Sequence, residues 1–515
     1  MRKPYQICLP MLLVCLVPAV ASAQSFRVQC PTSTLTHPTA ANNNSEPAYA
    51  GPTYAVGGGY PAAPVHVNGA IKCQQISGGD GYSTMGDGTQ TYMFSFGPLS
   101  GISDIASGLP GTEFPSVFNT VNPGLLQPGD PATTGTTYNG AVGLVPDLDA
   151  LAAGSCTGSC LDGHVDPRQI MDVGVMNGNI PAPLMAIDED DEFFLTLTNV
   201  GMIMRPDLFE QHTVHFHGYP NASSFYDGVP DASVAINIGA SFTYYYLAPD
   251  AGTYFWHCHI TPPEHLQMGM VGQLYVRPRQ NRVTGALYAG LQQQQLDLRT
   301  KCDSTDILCS NPLPAVNTGA TGGGKYAYND GDGSTAYDVE YPIQIHGFDP
   351  SFHFIGMTFN PEEFADMKDK FFLLNGRSYP DTVTPGPLQT QSADGVNHFS
   401  QPLPTIINIP AGKKALLRIS DLDVTEYQTL ASIGIPMNVV GINAKLLRDQ
   451  AGNNLNYNTN SITLAGGESL DVILDATDTT KYPSGSVFYL YTPNLDHLSN
   501  DAENFGGLMT EVHIN

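Results

Sequence analysis

Short runs of alternating apolar and polar residues, broken every ten residues or so by glycine, proline or asparagine, predict strands and turns along most of this chain. In TYMFSF the rings of Tyr92, Phe94 and Phe96 recur at period two, and in EFFLTLTNVG Phe193, Leu195 and Leu197 share one face. SFTYYYLAP repeats the pattern, and PDAGTYFWHCH follows with Gly252 at its turn. A second series begins at Tyr341: FFLLNGRSYPDT, PTIINIPAGKKALLRISD, IPMNVVGINAKLLRD, SITLAGGESLDVILDA and SVFYLYTP. The expectation is an all-β chain with two sandwich domains, at 166–280 and 341–515. Residues 24–165, rich in Gly, Pro, Ser, Thr and Asn, are expected as a loop-rich N-terminal elaboration of the first domain. Residues 281–340, with LQQQQ and TGATGGGKYAYNDGDGS, are expected as a flexible linker. Asn329, Asp330 and Asp332 outline a calcium loop only loosely, because no bidentate Glu follows at the required spacing. The acidic run Asp188 to Glu192 is read as a solvated turn in preference to a hard-cation site.

Composition narrows the setting. A basic pair at Arg2 and Lys3, an apolar stretch from Ile7 to Val20 and a small-residue site at Ala21-Ser22-Ala23 predict a signal peptide over residues 1–23, and hence a secreted protein, periplasmic or extracellular. No later segment has the length of apolar chain that a membrane span needs. The formal charge of -27 weighs against nucleic acid as a partner. With Cys8 and Cys15 in the signal and Cys258 set aside, six cysteines remain. Their spacing predicts disulfides Cys156–Cys160 and Cys302–Cys309, and Cys30–Cys73 by elimination.

The candidate chemistry lies between His212 and Met270. HTVHFHG and WHCHITPPEHLQMGM hold six of the fourteen histidines. Imidazole, thiolate and thioether form a soft ligand set that selects copper. His212, Cys258, His265 and Met270 supply the two imidazoles, one thiolate and weak axial thioether of an electron-transfer copper, with Met268 as competitor for the axial place. On a strand His215 and His217 face away from His212, and His257 and His259 flank Cys258 on its far side. Four imidazoles therefore point to a second metal centre that the Cys258 backbone links to the first. Trp256, the only tryptophan, adjoins the site.

These motifs resemble the copper signature of the multicopper oxidases, which are built from cupredoxin Greek-key β-sandwiches. The resemblance implies type 1 copper at His212, Cys258, His265 and Met270. It assigns His215, His217, His257 and His259 to a type 2/type 3 centre that reduces dioxygen with electrons from a small-molecule or metal-ion donor. Two departures stand out. Pro262-Pro263 lengthens the step from Cys258 to His265 by about two residues relative to the family's usual spacing. The second domain carries Ile435-Pro436-Met437-Asn438-Val439-Val440-Gly441 and Tyr491-Thr492-Pro493 where a copper domain would carry histidines. Half of the second centre must then come from elsewhere: from His346 or His497, or from another subunit of a homo-oligomer, a trimer being the first arrangement to test. Copper nitrite reductases also resemble the chain in part, which keeps a single type 2 copper open as an alternative, as it does a non-enzymatic type 1 electron carrier.

Overall fold

The computed structural model describes residues 27–515 apart from 41–42, 55–63, 122–137, 156–159, 219–222, 249, 298–308, 357, 359–362, 392–394 and 396. The expected signal peptide lies outside the described residues.

The alternating segments fold as strands and pair into two sandwiches. In the first, β1 (Ile71–Thr84), β2 (Gln90–Pro98), β4 (Glu192–Gly201) and β6 (Ser241–Leu247) form one sheet in the order β2-β1-β4-β6. The second sheet runs β3-β8-β7-β5, from Met185–Asp188, Val271–Arg277, Gly252–His257 and His215–Phe216. Phe193, Leu195 and Leu197 pack with Phe94, Phe96, Tyr244, Trp256 and Cys258 in one core, so the copper motif is built into the centre of the first sandwich. The second sandwich has its own core of Ile343, Leu417, Met437, Val439, Val472 and Leu490. Met437 and Val439 stand where a copper domain would carry ligands, and here they bury apolar surface.

The N-terminal region contributes more than loops. TYMFSF lies within β2, and β1 pairs with β2 on one side and with β4 on the other. The stretch ISGGDGYST of β1 hides its period because glycines sit where neighbours press close. A Cβ at Gly78 would stand 2.7 Å from the His212 ring.

Two local expectations give way. Asp188, Glu189, Asp190, Asp191 and Glu192 are all buried rather than solvated. Burying that much charge requires partners. Arg279 donates to Asp190 through Nε at 2.6 Å and Nη2 at 2.9 Å, and its backbone N–H donates to Glu189 at 2.6 Å. The His37 ring meets Glu192 at 2.8 Å. In place of a flexible linker, residues 325–338 are packed in. Asn329 donates to Glu189 at 2.6 Å, and Asp330 accepts from Gln280 at 2.7 Å. Asp330 thus spends its oxygens on packing bonds, among them one from the Thr335 backbone N–H at 2.8 Å.

The halves meet through β7 and β8. Thr253 donates to Asp471 at 2.6 Å, Gln273 to Ser420 at 2.8 Å and Arg277 to Glu340 at 2.7 Å. Cys30 and Cys73 form a disulfide. Cys160 and Cys309 are also disulfide-bonded, and their expected partners Cys156 and Cys302 lie outside the described residues. Among the described residues no helix is long and apolar enough to cross a membrane.

Candidate metal centre

The antiparallel pair β5 and β7 places His215 opposite His257 and Phe216 opposite Trp256. Alternation then divides the chemistry. Phe216 and Trp256 enter the core on one face, and the two histidines leave it on the other.

On the core face, His212, Cys258 and His265 bring their ligand atoms within 4.8 Å of one another. Cys258 is a free, fully buried thiol. His265 Nδ1 lies 3.2 Å from Cys258 Sγ, and the Thr213 N–H donates to the same sulfur at 3.4 Å. The longer step through Pro262-Pro263 is taken up by a short helix, Pro262–Gln267, that carries His265 back over the cysteine. Its return is closed by two backbone bonds, Met270 N–H to His265 O at 2.8 Å and Cys258 N–H to Met270 O at 3.1 Å. Met268 and Met270 are both fully buried in the same core.

Burial opposes charge on Cys258, yet the His265 and His212 rings beside it hold the thiol well below its usual range. Burial likewise opposes charge on His265, but the thiolate and then Glu210 push it up to about 10. Neither ring nitrogen of His212 has a hydrogen-bond partner among the described residues, although the ring is fully buried. An orphaned imidazole beside a thiolate is the donor set a soft metal satisfies.

On the opposite face, His215, His217 and His257 form a second group. His215 Nδ1 meets the Asp227 carbonyl at 2.7 Å and His257 Nδ1 the Cys258 carbonyl at 2.6 Å. His217 bonds the Gly467 backbone of the second half, its Nδ1 lying against a glycine that leaves room for it. With the inner nitrogens tied to backbone, the outer ones are free to converge, and His217 Nε2 stands 3.0 Å from His257 Nε2. The His259 ring lies 5.1 Å from that of His215 and 5.4 Å from that of His257. Burial, then neighbouring His215, pulls His217 down to about 4. His257 is held well below its usual value by burial, against the pull of the Cys258 carbonyl. Neutral rings of this kind are what a metal requires.

His346 and His497 join neither group. His346 Nε2 meets the Leu266 carbonyl at 3.0 Å, while His497 is engaged by Gln428 at 3.1 Å and Asn494 at 2.9 Å. The sequence reading missed Glu210, whose carboxylate lies 3.8 Å from His265 Nε2 and reaches solvent at 25% exposure. No motif marks it, since only the fold brings it to the imidazole edge.

Comparison with known proteins agrees with this geometry over the same segment. A multicopper oxidase family model matches residues 162–281. Laccase abr2 of Aspergillus fumigatus is 34% identical over 109 residues, 21% of this chain and 17% of that protein. The copper-containing nitrite reductase of Rhizobium meliloti is 33% identical over 114 residues, 21% of this chain and 27% of that one. The matched region therefore spans less than a third of either relative. Among solved structures, the blue copper oxidase from Nitrosomonas europaea aligns over 86% of this chain and 85% of its own, at 17% identity and a TM-score of 0.48. The family match, falling on the segment that carries every residue of both clusters, identifies residues 162–281 as a multicopper oxidase domain.

Proposed function

We propose that this chain is a secreted copper oxidoreductase that takes electrons from a donor at one centre and delivers them to dioxygen at another. The observation that carries the reading is the division of side chains about Cys258: one cluster is buried in the core, and His257 of the other is held by the carbonyl of that same cysteine. His212, Cys258 and His265, with the thioether of Met270, would hold type 1 copper. His215, His217, His257 and His259 would hold their share of a type 2/type 3 centre. Copper bound at these positions would supply reversible one-electron transfer and a site for dioxygen.

The chain's own residues set up the rest. The buried first cluster excludes water, and the loop from Cys258 to Met270 fixes three ligands in one short rigid segment, which keeps reorganisation small. The path from Sγ of Cys258 through its own carbonyl to the His257 ring is covalent except for one hydrogen bond of 2.6 Å. Glu210 offers a donor its docking point, since the His265 ring 3.8 Å away keeps the carboxyl below its usual range and therefore charged. For Glu210→Gln we expect KM for a divalent-cation donor to rise about tenfold while KM for a neutral phenol holds, a difference on the order of one charge-assisted contact. Equal KM for the cation would remove Glu210 from donor binding.

The second cluster is half of a centre, and we assign its completion to a neighbouring subunit of a homo-oligomer, for which a trimer is the first candidate. Copper analysis with electron paramagnetic resonance and native mass tests this. The oxidase reading expects about four coppers per chain in an oligomer, with both type 1 and type 2 signals. Two coppers per chain would favour a nitrite-reductase-like site, and one a type 1 electron carrier.

A further inference from the structure

The second sandwich carries no copper motif yet holds two buried histidines, His346 and His353, in the stretch IHGFDPSFH. Both meet the first domain at one place. His346 Nε2 lies 3.0 Å from the carbonyl of Leu266, and His353 Nε2 lies 2.9 Å from that of Gln267. These carbonyls belong to the last residues of the helix Pro262–Gln267, directly after His265.

The Gln267 side chain is held as well. Its Nε2 donates to Asp369 at 2.9 Å, and its Oε1 accepts from the Asp349 backbone N–H at 3.2 Å. The far nitrogen of His353 lies 2.7 Å from the Tyr92 carbonyl, so the ring sits between the helix and β2, and its single N–H donates to one of the two carbonyls. It stacks on Phe348 with ring centroids 3.7 Å apart. His346 is buried with no hydrogen-bond partner at Nδ1 among the described residues. That arrangement fixes the tautomer: the proton sits on Nε2 and is donated to Leu266.

We infer that His346 and His353 are positioning residues through which the second sandwich clamps the His265 loop and sets the geometry of the Cys258 centre. The inference rests on the copper reading proposed above. The physical need comes from the loop itself. Pro262 and Pro263 pre-set only the first turn, and a helix of six residues has too few internal bonds to hold its last residues by itself. Contacts from His346, Asp349, His353 and Asp369 meet that need from outside. Unlike packing alone, they fix Leu266 and Gln267 along particular directions.

The test separates the clamp from the copper. In metal-free protein, amide exchange is followed at Met268, Gly269 and Met270, whose N–H groups close the loop. His346→Phe fills the volume and removes the donor, and His346→Gln restores one. We expect exchange at these amides to quicken about tenfold in His346→Phe and to return most of the way in His346→Gln, with exchange elsewhere in the first sandwich unchanged. Gln267→Met, which keeps the length of the side chain and loses its bonds to Asp349 and Asp369, is expected to act in the same direction and serves if His346→Phe fails to fold. Loop exchange equal to wild type in the folded variants would overturn the clamp.

In copper-loaded protein the same variants are expected to shift the thiolate charge-transfer band and the reduction potential of the type 1 site. An unchanged band and potential would overturn the effect on the centre. Absence of that band from the wild type would strike the copper reading, and the exchange experiment would still decide the clamp.

Discussion

Cys258→Ser, reconstituted with copper, is expected to lose the thiolate charge-transfer band completely and to oxidise donor at least about a thousandfold more slowly. Three properties converge on this one residue. It is the free thiol at the centre of the first cluster, His265 and Thr213 both direct an N–H group or ring nitrogen at it, and its carbonyl anchors His257 of the second cluster. Serine keeps the backbone, and with it the His257 anchor, but supplies a hard hydroxyl of high pKa in place of a polarisable thiolate. The second cluster should therefore still bind metal while electrons from the donor no longer reach it. The variant should fold, because serine is close to cysteine in size and the Thr213 N–H and His265 ring beside the position can bond its hydroxyl. Visible absorption, paramagnetic resonance and donor oxidation on the same sample separate these outcomes. Retained type 2 signal with no type 1 signal is the expected pattern, and undiminished donor oxidation would sink the electron-entry role of Cys258.

The features legible in the sequence are those written at short range. Phe193, Leu195 and Leu197 alternate, and alternation is the geometry of a strand. His212, Cys258 and His265 lie close in chain and carry a chemistry rare enough to name a metal. The separation of the two clusters also followed from period two alone, and the pairing of His215 with His257 shows the register that produces it. What escaped depends on distant partners. Asp188 to Glu192 read as a solvated turn because five acids in a row ordinarily face water, and partners far away in sequence, among them Arg279, Asn329, His37 and Tyr245, make their burial tolerable. β1 escaped because its glycines answer to His212 and to other strands rather than to any local pattern. Glu210, His346 and His353 meet the His265 loop from across the fold, and an isolated His or Glu carries no local mark of that.

The Arg279 cluster carries the second large effect. Arg279→Leu should destabilise the protein by roughly 3–5 kcal/mol, the cost of leaving buried charge without its partner. Arg279 is 3% exposed and grips both oxygens of Asp190, while its backbone N–H and Nη1 reach Glu189. Arg279→Lys should recover only a minor part of the loss, because an ammonium cannot reproduce the fork on Asp190. The deficit should also depend on pH, with a sign that follows from Glu189. Burial, partly opposed by Arg279, raises this carboxyl to about 7 in the folded protein, against about 4.3 unfolded. A folded value above the unfolded one stabilises fully below about pH 4.3 and is lost as pH rises through about 7. Without Arg279 the folded value climbs further and the loss steepens, so the gap between variant and wild type should be smallest near pH 5 and widen towards pH 8. Denaturant midpoints at pH 5, 6.5 and 8 measure it. A gap below about 1 kcal/mol at every pH would match an exposed ion pair and contradict a buried one.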